Sequence, residues 1–182
     1  MKHLMFLFLM FLAFPIITLQ QKEVHLLIIG DSLAAGLTPH ISKIAKKENI
    51  KFHADGRGGT TLKQWVDFNW AEKDFKKYEH DIILVSLGIN DYGRTDNRSK
   101  LKIRAKKIVE LAKGTPVIWL VPAVKRKSSQ FVYEAVKDSG ALILDVRQLN
   151  IEHPPGDVHP TGNGYKYWSK EIWNFIQHNV SI

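Results

Sequence analysis

The chain reads as an α/β protein built on one parallel sheet of roughly five strands, with helices on both faces. Two observations predict this. Short apolar runs alternate with amphipathic helical patterns along nearly the whole length. The runs are also almost continuously apolar rather than alternating with polar residues, as strands buried on both faces must be. A length of 182 residues suits one domain with a real core and is too short for two comfortable ones.

The elements follow in order. Val24-His25-Leu26-Leu27-Ile28-Ile29 is rich in β-formers and closed by Gly30, a buried first strand. Leu33, Leu37, Ile41, Ile44 and Ala45 recur at helical spacing up to about Glu48. Ile50 to Ala54 gives a weaker second strand, followed by the glycine-rich loop Gly56-Arg57-Gly58-Gly59-Thr60-Thr61. Trp65, Phe68 and Trp70 belong to short helical or irregular structure, and Asp81 to Leu87 is the clearest strand, running into Gly88. Leu101, Ala105, Ile108, Val109 and Ala112 mark a helix that Gly114 and Pro116 end. Pro116 to Val121 is a strand stopped by Pro122. Phe131, Val132, Ala135 and Val136 mark a helix ended at Gly140, and Ala141 to Leu144 is the fifth strand. A loop rich in Pro and Gly, Ile151 to Pro160, leads to a last helix with the apolar face Tyr165, Trp168, Ile172 and Phe175.

Composition narrows the chemistry. With no cysteine, disulfides, thiolate nucleophiles and Cys-based zinc sites are excluded. At the N-terminus, Met1-Lys2-His3 precedes an apolar stretch from Leu4 to Leu19, uncharged until Lys22. Residues 1–21 therefore read as a secretory signal or an N-terminal membrane anchor, with residues 22–182 as the folded domain, exported to the periplasm or cell exterior. The formal charge is +8, and its densest patch is Lys100, Lys102, Arg104, Lys106 and Lys107 on one helix. Such a face suits an anionic neighbour, but a solvated helix surface explains it more simply. Nucleic acid is not expected as a partner of an exported chain, and the membrane is expected only through the N-terminal segment.

Four motifs end apolar runs or follow them: Gly30-Asp31-Ser32-Leu33, Gly56-Arg57-Gly58-Gly59, Gly88-Ile89-Asn90-Asp91 and Asp157-Val158-His159-Pro160. In a parallel sheet, sites form beyond the carboxyl ends of the strands, so all four can share one rim. Ser32, between a strand and a helix start, is placed as an exposed hydroxyl facing a helix N-terminus, which favours developing negative charge. A serine hydroxyl needs a base within hydrogen-bond reach, and His159 is the candidate. Asp157, two residues earlier, can hold the imidazole in the right tautomer. An amide in the glycine-rich loop at Gly59 and the Asn90 side chain can supply donors to an oxyanion. Together these are the parts of acyl transfer by a serine hydrolase.

On these motifs the chain resembles the SGNH/GDSL hydrolase family over essentially everything after the leader. The four signature residues would be Ser32, Gly59, Asn90 and His159. The resemblance implies a flavodoxin-like three-layer α/β/α sandwich and ester hydrolysis through an acyl-enzyme, with no cofactor and no metal. It also implies a Ser32–His159–Asp157 triad, and an oxyanion hole made of the Ser32 and Gly59 amides with the Asn90 side chain. Asp31 would have a supporting role.

Other readings fit less well. The α/β-hydrolase Gly-x-Ser-x-Gly, the dinucleotide Gly-x-Gly-x-x-Gly and the P-loop Gly-Lys-Ser/Thr are all absent. A metal site at His153, Asp157 and His159 would lack obvious further ligands. A non-catalytic protein of the same fold could use Trp65, Phe68, Trp70 and Tyr92 to bind carbohydrate, although core packing accounts for most of them. For substrate, a short chain without a large insertion favours an open site, hence small acyl esters such as acetyl on an envelope or extracellular carbohydrate. Lysophospholipase or thioesterase activity is the alternative.

Overall fold

The computed structural model describes residues 23–93, 98–124 and 127–181, so the proposed leader at 1–21 lies outside the described residues. The strands are β1 (His25–Gly30), β2 (Lys51–Gly56), β3 (Ile82–Ser86), β4 (Val117–Val121) and β5 (Leu142–Asp145). The helices are α1 (Ser32–Lys47), α2 (Leu62–Asp67), α3 (Trp70–Lys77), α4 (Arg98–Leu111), α5 (Lys127–Val136) and α6 (Gly162–Asn179), with a 3₁₀ turn at Ile89–Asp91. All strand pairs are parallel and the order is β2-β1-β3-β4-β5. The expected three-layer α/β/α sandwich is the fold observed.

Alternation along the strands builds two cores, because successive side chains point to opposite faces. Leu27, Ile29, Ile83, Val85, Trp119 and Val121 pack under α2, α3, α4 and α5. Their neighbours Leu26, Ile28, Ile82, Leu84, Ile118 and Leu120 pack under α1 and α6. This is why the strands read as unbroken apolar runs. The edge strands differ: β5 is half-exposed, with Leu142 37% exposed, and β2 is half-buried along most of its length.

The sequence-derived boundaries need a few corrections. The second strand begins one residue later than Ile50 and runs on through Asp55 and Gly56. It gains those two polar positions because its backbone stays paired with β1 up to Gly30. The aromatic segment forms two short helices, α2 with Trp65 fully buried and α3 starting at Trp70. On α6 the stripe Tyr165, Trp168 and Ile172 closes on Ile176, while Phe175 is only half-buried, since a helical face advances by three or four residues. Among the described residues, no helix is long and apolar enough to cross a membrane.

The register sets the level of the site. Gly30 lies opposite Gly56 on one side and Ser86 on the other. The sheet's last rungs are the Arg57 amide to the Gly30 carbonyl at 2.8 Å and the Asp31 amide to the Ser86 carbonyl at 3.1 Å. A Cβ at Gly30 would lie 2.3 Å from the Ser86 oxygen, so only glycine lets β1 turn there.

The two-faced core makes a stability prediction. Ile83→Ala, at a fully buried site in β3, should lower the unfolding free energy by about 2–5 kcal/mol. Leu142→Ala, on the edge, should cost about 1 kcal/mol or less. Urea titration of both variants checks the contrast, and equal losses would contradict it.

Candidate active site

The chain reverses its direction of progress across the sheet between β1 and β3, and the carboxyl ends of those strands form the crevice where such sheets bind ligands. Ser32 is the first residue of α1, one step beyond the cap residue Asp31, whose Oδ1 accepts the Leu33 amide at 2.9 Å. The cap fixes the strand-to-helix turn and leaves the Ser32 hydroxyl half-exposed at the positive end of a 16-residue helix.

His159 reaches Ser32 from across the rim, with Nε2 2.8 Å from Ser32 Oγ. Its Nδ1 lies 2.8 Å from Asp157 Oδ1, and the same oxygen accepts the His159 backbone amide at 2.9 Å. With the ring proton on Nδ1, that nitrogen donates to Asp157 and Nε2 is left to accept from the serine hydroxyl. The loop that presents the pair is pinned. The Asp157 amide bonds the Pro154 carbonyl at 3.1 Å, the Thr161 amide bonds the Glu152 carbonyl at 2.9 Å, and Thr161 caps α6 through the Gly164 amide. Hydrogen bonds from the His159 backbone amide and imidazole hold the Asp157 carboxyl below the usual carboxylate range.

The glycine-rich loop is a tight turn in which the Thr60 amide bonds the Arg57 carbonyl at 3.2 Å. Gly59, third in that turn, has φ +71°, which a side chain would strain. Among the described residues neither the Ser32 amide nor the Gly59 amide donates a hydrogen bond. The turn is braced from below: Thr60 Oγ1 donates to the Arg57 carbonyl at 2.7 Å and accepts from Trp65 Nε1 at 2.9 Å. Arg57 is gripped by Asp55 and lies 4.3 Å over the Trp70 ring.

Asn90 links the motifs. Its Nδ2 donates to the Thr60 carbonyl at 3.0 Å and more weakly to Asp31 Oδ2 at 3.3 Å. The amide expected to serve an oxyanion is thus held by neighbours in this state, one of them at a long distance. Asp91, fully buried beside it, accepts the Leu62 amide at 2.8 Å and so anchors the start of α2.

The structure therefore brings Ser32, His159 and Asp157 together on the rim that carries Gly59 and Asn90. Three contributors went unassigned from sequence. Thr60 and Asp91 lie inside these motifs with no sequence signal of a role, since neither the brace from Thr60 to the Trp65 ring nor the hold of Asp91 on the distant start of α2 leaves a local pattern. Tyr165 read only as an apolar helix face. Its ring lies beneath α1, where a Cβ on Gly36 would come within 2.2 Å of Cζ. Burial, with the charges of Asp31 and Asp157, pushes its hydroxyl up to about 12. Of the aromatics weighed for carbohydrate binding, Trp65 is core, Trp70 is half-buried, and Phe68 and Tyr92 are exposed.

Residues 25–138 match the family model described as protein of unknown function (DUF459). The chain belongs to the DUF459 family. No curated protein matches it in sequence. Among solved structures, this DUF459 chain is similar to a lipase/acylhydrolase from Enterococcus faecalis, with a TM-score of 0.74 at 13% identity, covering 87% of this chain and 97% of that one. It is similar to a psychrotrophic esterase from a Pseudoalteromonas species, with a TM-score of 0.70 at 16% identity, over 86% and 98% of the two chains. An acetyl xylan esterase superposes with a TM-score of 0.68 at 15% identity, over 84% and 100% of the two chains. The fold is that of the SGNH/GDSL hydrolases.

Asp31 gives the site a pH signature. Burial pushes its carboxyl up to about 7, against the Leu33 amide and the charge of His159, which pull it down. Between about pH 4 and 7 the folded chain keeps a proton that the unfolded chain has released. Asp31 therefore lowers stability as pH rises through that window, by up to ~1.4 kcal/mol per pH unit, and no further above it. Asp74, pushed up to about 6 chiefly by burial, acts in the same direction, so the comparison must isolate one group. The Tm of the wild type should fall relative to Asp31→Asn between about pH 5 and 7 and run parallel to it above about pH 8. A difference that is constant across the whole range would contradict this.

Proposed function

We propose that this protein hydrolyses carboxylic esters through an acyl-enzyme on Ser32. The observation that carries the reading is the pair of 2.8 Å contacts joining Ser32, His159 and Asp157 at the N-terminus of α1.

In this reading, Ser32 Oγ attacks the ester carbonyl while its proton passes to His159 Nε2. Asp157, accepting from Nδ1, stabilises the imidazolium that forms. Collapse of the tetrahedral intermediate breaks the ester C–O bond, and the imidazolium returns its proton to the departing alkoxide. Water, deprotonated by the same nitrogen, then attacks the acyl-serine; the bond between the acyl carbon and Ser32 Oγ breaks, the imidazolium returns its proton to Oγ, and the free acid departs. The amides of Ser32 and Gly59 face the oxyanion, and the Asn90 hydrogen held only by its 3.3 Å contact to Asp31 turns to join them.

The proposed substrate is a small acyl ester, acetyl first, on an envelope or extracellular carbohydrate. Three observations support it. The side chains of Asp157 and His159 are 48% and 43% exposed, an open setting suited to a short acyl group on a bulky carrier. A depression of about 490 Å³ borders Asp157, with an apolar floor at Val124, Leu149 and Ile151 and polar groups at Asn150, Glu152 and His153. The acetyl xylan esterase named above shares the fold. Export by residues 1–21, as a signal or an anchor, belongs to the same reading.

Hydrolysis of nitrophenyl esters from acetyl to dodecanoyl tests it. Turnover should peak at acetyl and be abolished in Ser32→Ala and His159→Ala, while Asn90→Ala loses about 10²–10³ in kcat. A peak at long chains would favour the lysophospholipase or thioesterase alternative. Full activity in His159→Ala would overturn the mechanism, and folded protein inert toward every ester, acetylated xylan included, would favour a non-catalytic carbohydrate-binding role.

A further inference from the structure

Away from the rim, the outward face of α4 combines charge and apolar exposure in an unusual way. The helix holds six lysines and arginines against the single acid Glu110, a net +5 in a chain whose formal total is +8. Its buried stripe is Leu101, Ala105 and Ile108. Ile103 projects from the opposite side and is 69% exposed, the most exposed large apolar side chain among the described residues. Lys100, Lys106 and Lys107 stand three or four residues from it, so they ring it on the helix surface. Toward the edges of this face, Lys102 pairs with Asp138 at 3.3 Å and Arg104 with Asp67 at 3.6 Å. Lys106 and Lys107 have no ion-pair partner among the described residues. Beside Ile103 runs a groove of about 380 Å³ between α4 and α2, walled on the far side by Val66.

A solvated helix face needs charge but gains nothing from a bare isoleucine at its centre. A face that meets a bilayer needs both, because ammonium groups neutralise lipid phosphates while an apolar side chain enters the headgroup boundary. Single-stranded nucleic acid would instead call for aromatic platforms, and α4 carries no aromatic residue. We propose that the outer face of α4, centred on Ile103 and ringed by Lys100, Lys106 and Lys107, docks onto an anionic phospholipid bilayer. It uses none of the groups assigned to ester hydrolysis.

Vesicle flotation of the full chain tests this, with phosphatidylcholine alone and with about one-third phosphatidylglycerol. The neutral vesicles measure whatever the N-terminal segment contributes, and the increment on anionic vesicles measures the face. That increment should fall roughly tenfold or more in the double variant Lys106→Glu, Lys107→Glu, fall also in Ile103→Asp, and vanish at high salt. Both variants alter exposed positions, and unchanged thermal melts verify their folding. Equal flotation on the two lipids, or an increment that survives both variants, would overturn the proposal. Binding to soluble polyphosphate as tight as to anionic vesicles, and indifferent to Ile103→Asp, would assign the face to a polyanion and also overturn it.

Discussion

The candidate site depends on one constraint, the common level at which β1, β2 and β3 end. Gly30, Gly56 and Ser86 lie side by side across the sheet, and the chain beyond them is fastened by single backbone hydrogen bonds. Because the three strands stop together, the turn holding Ser32, the Gly58–Gly59 turn and the Asn90 turn emerge next to one another. A shift of one residue in any pair would turn that strand's apolar side chains to the wrong core, so the packing that stabilises the sheet also fixes the rim. Local geometry then needs only short reaches: the cap of α1 for Ser32, a tight turn for Gly59, and one long loop for His159.

The rim separates the groups proposed to react from the groups that hold them. Asp157 and His159 are half-exposed and depend on a pinned loop, whereas Asp31, Asp91 and Trp65 are fully buried and tie the motifs together. Thr60 is the joint between the layers, its hydroxyl engaged by Trp65 and the Arg57 carbonyl while its own carbonyl receives Asn90. A buried acid such as Asp31 is costly to ionise, yet its oxygens are used by the Leu33 amide and the Asn90 side chain.

Much of this was legible in the sequence, for identifiable reasons. Strands such as β3 and β4 announce themselves because burial on both faces demands unbroken apolar runs. Ser32, Gly59 and Asn90 could be singled out because glycine and turn residues mark where strands end, and ends are where chemistry collects; His159 stood out through the acid two residues before it and the proline after it. The extension of β2 through Asp55 and Gly56 was hidden, since its cause is pairing with a neighbour and not its own composition. Tyr165 was hidden in the same way: its helix shows an apolar stripe, and only the packing of α6 against α1 brings its hydroxyl toward the site. The engagement of Asn90 by Thr60 and Asp31 links positions far apart in the chain and has no linear signature.

The central claim is that Ser32 is a nucleophile activated by His159. The most direct test is covalent labelling of the protein by a fluorophosphonate, with the modified residue located by peptide mass spectrometry. The account predicts a single adduct on Ser32, formed at a rate that collapses in His159→Ala although the serine remains. Labelling of another residue, or labelling of Ser32 at an undiminished rate without His159, would contradict it.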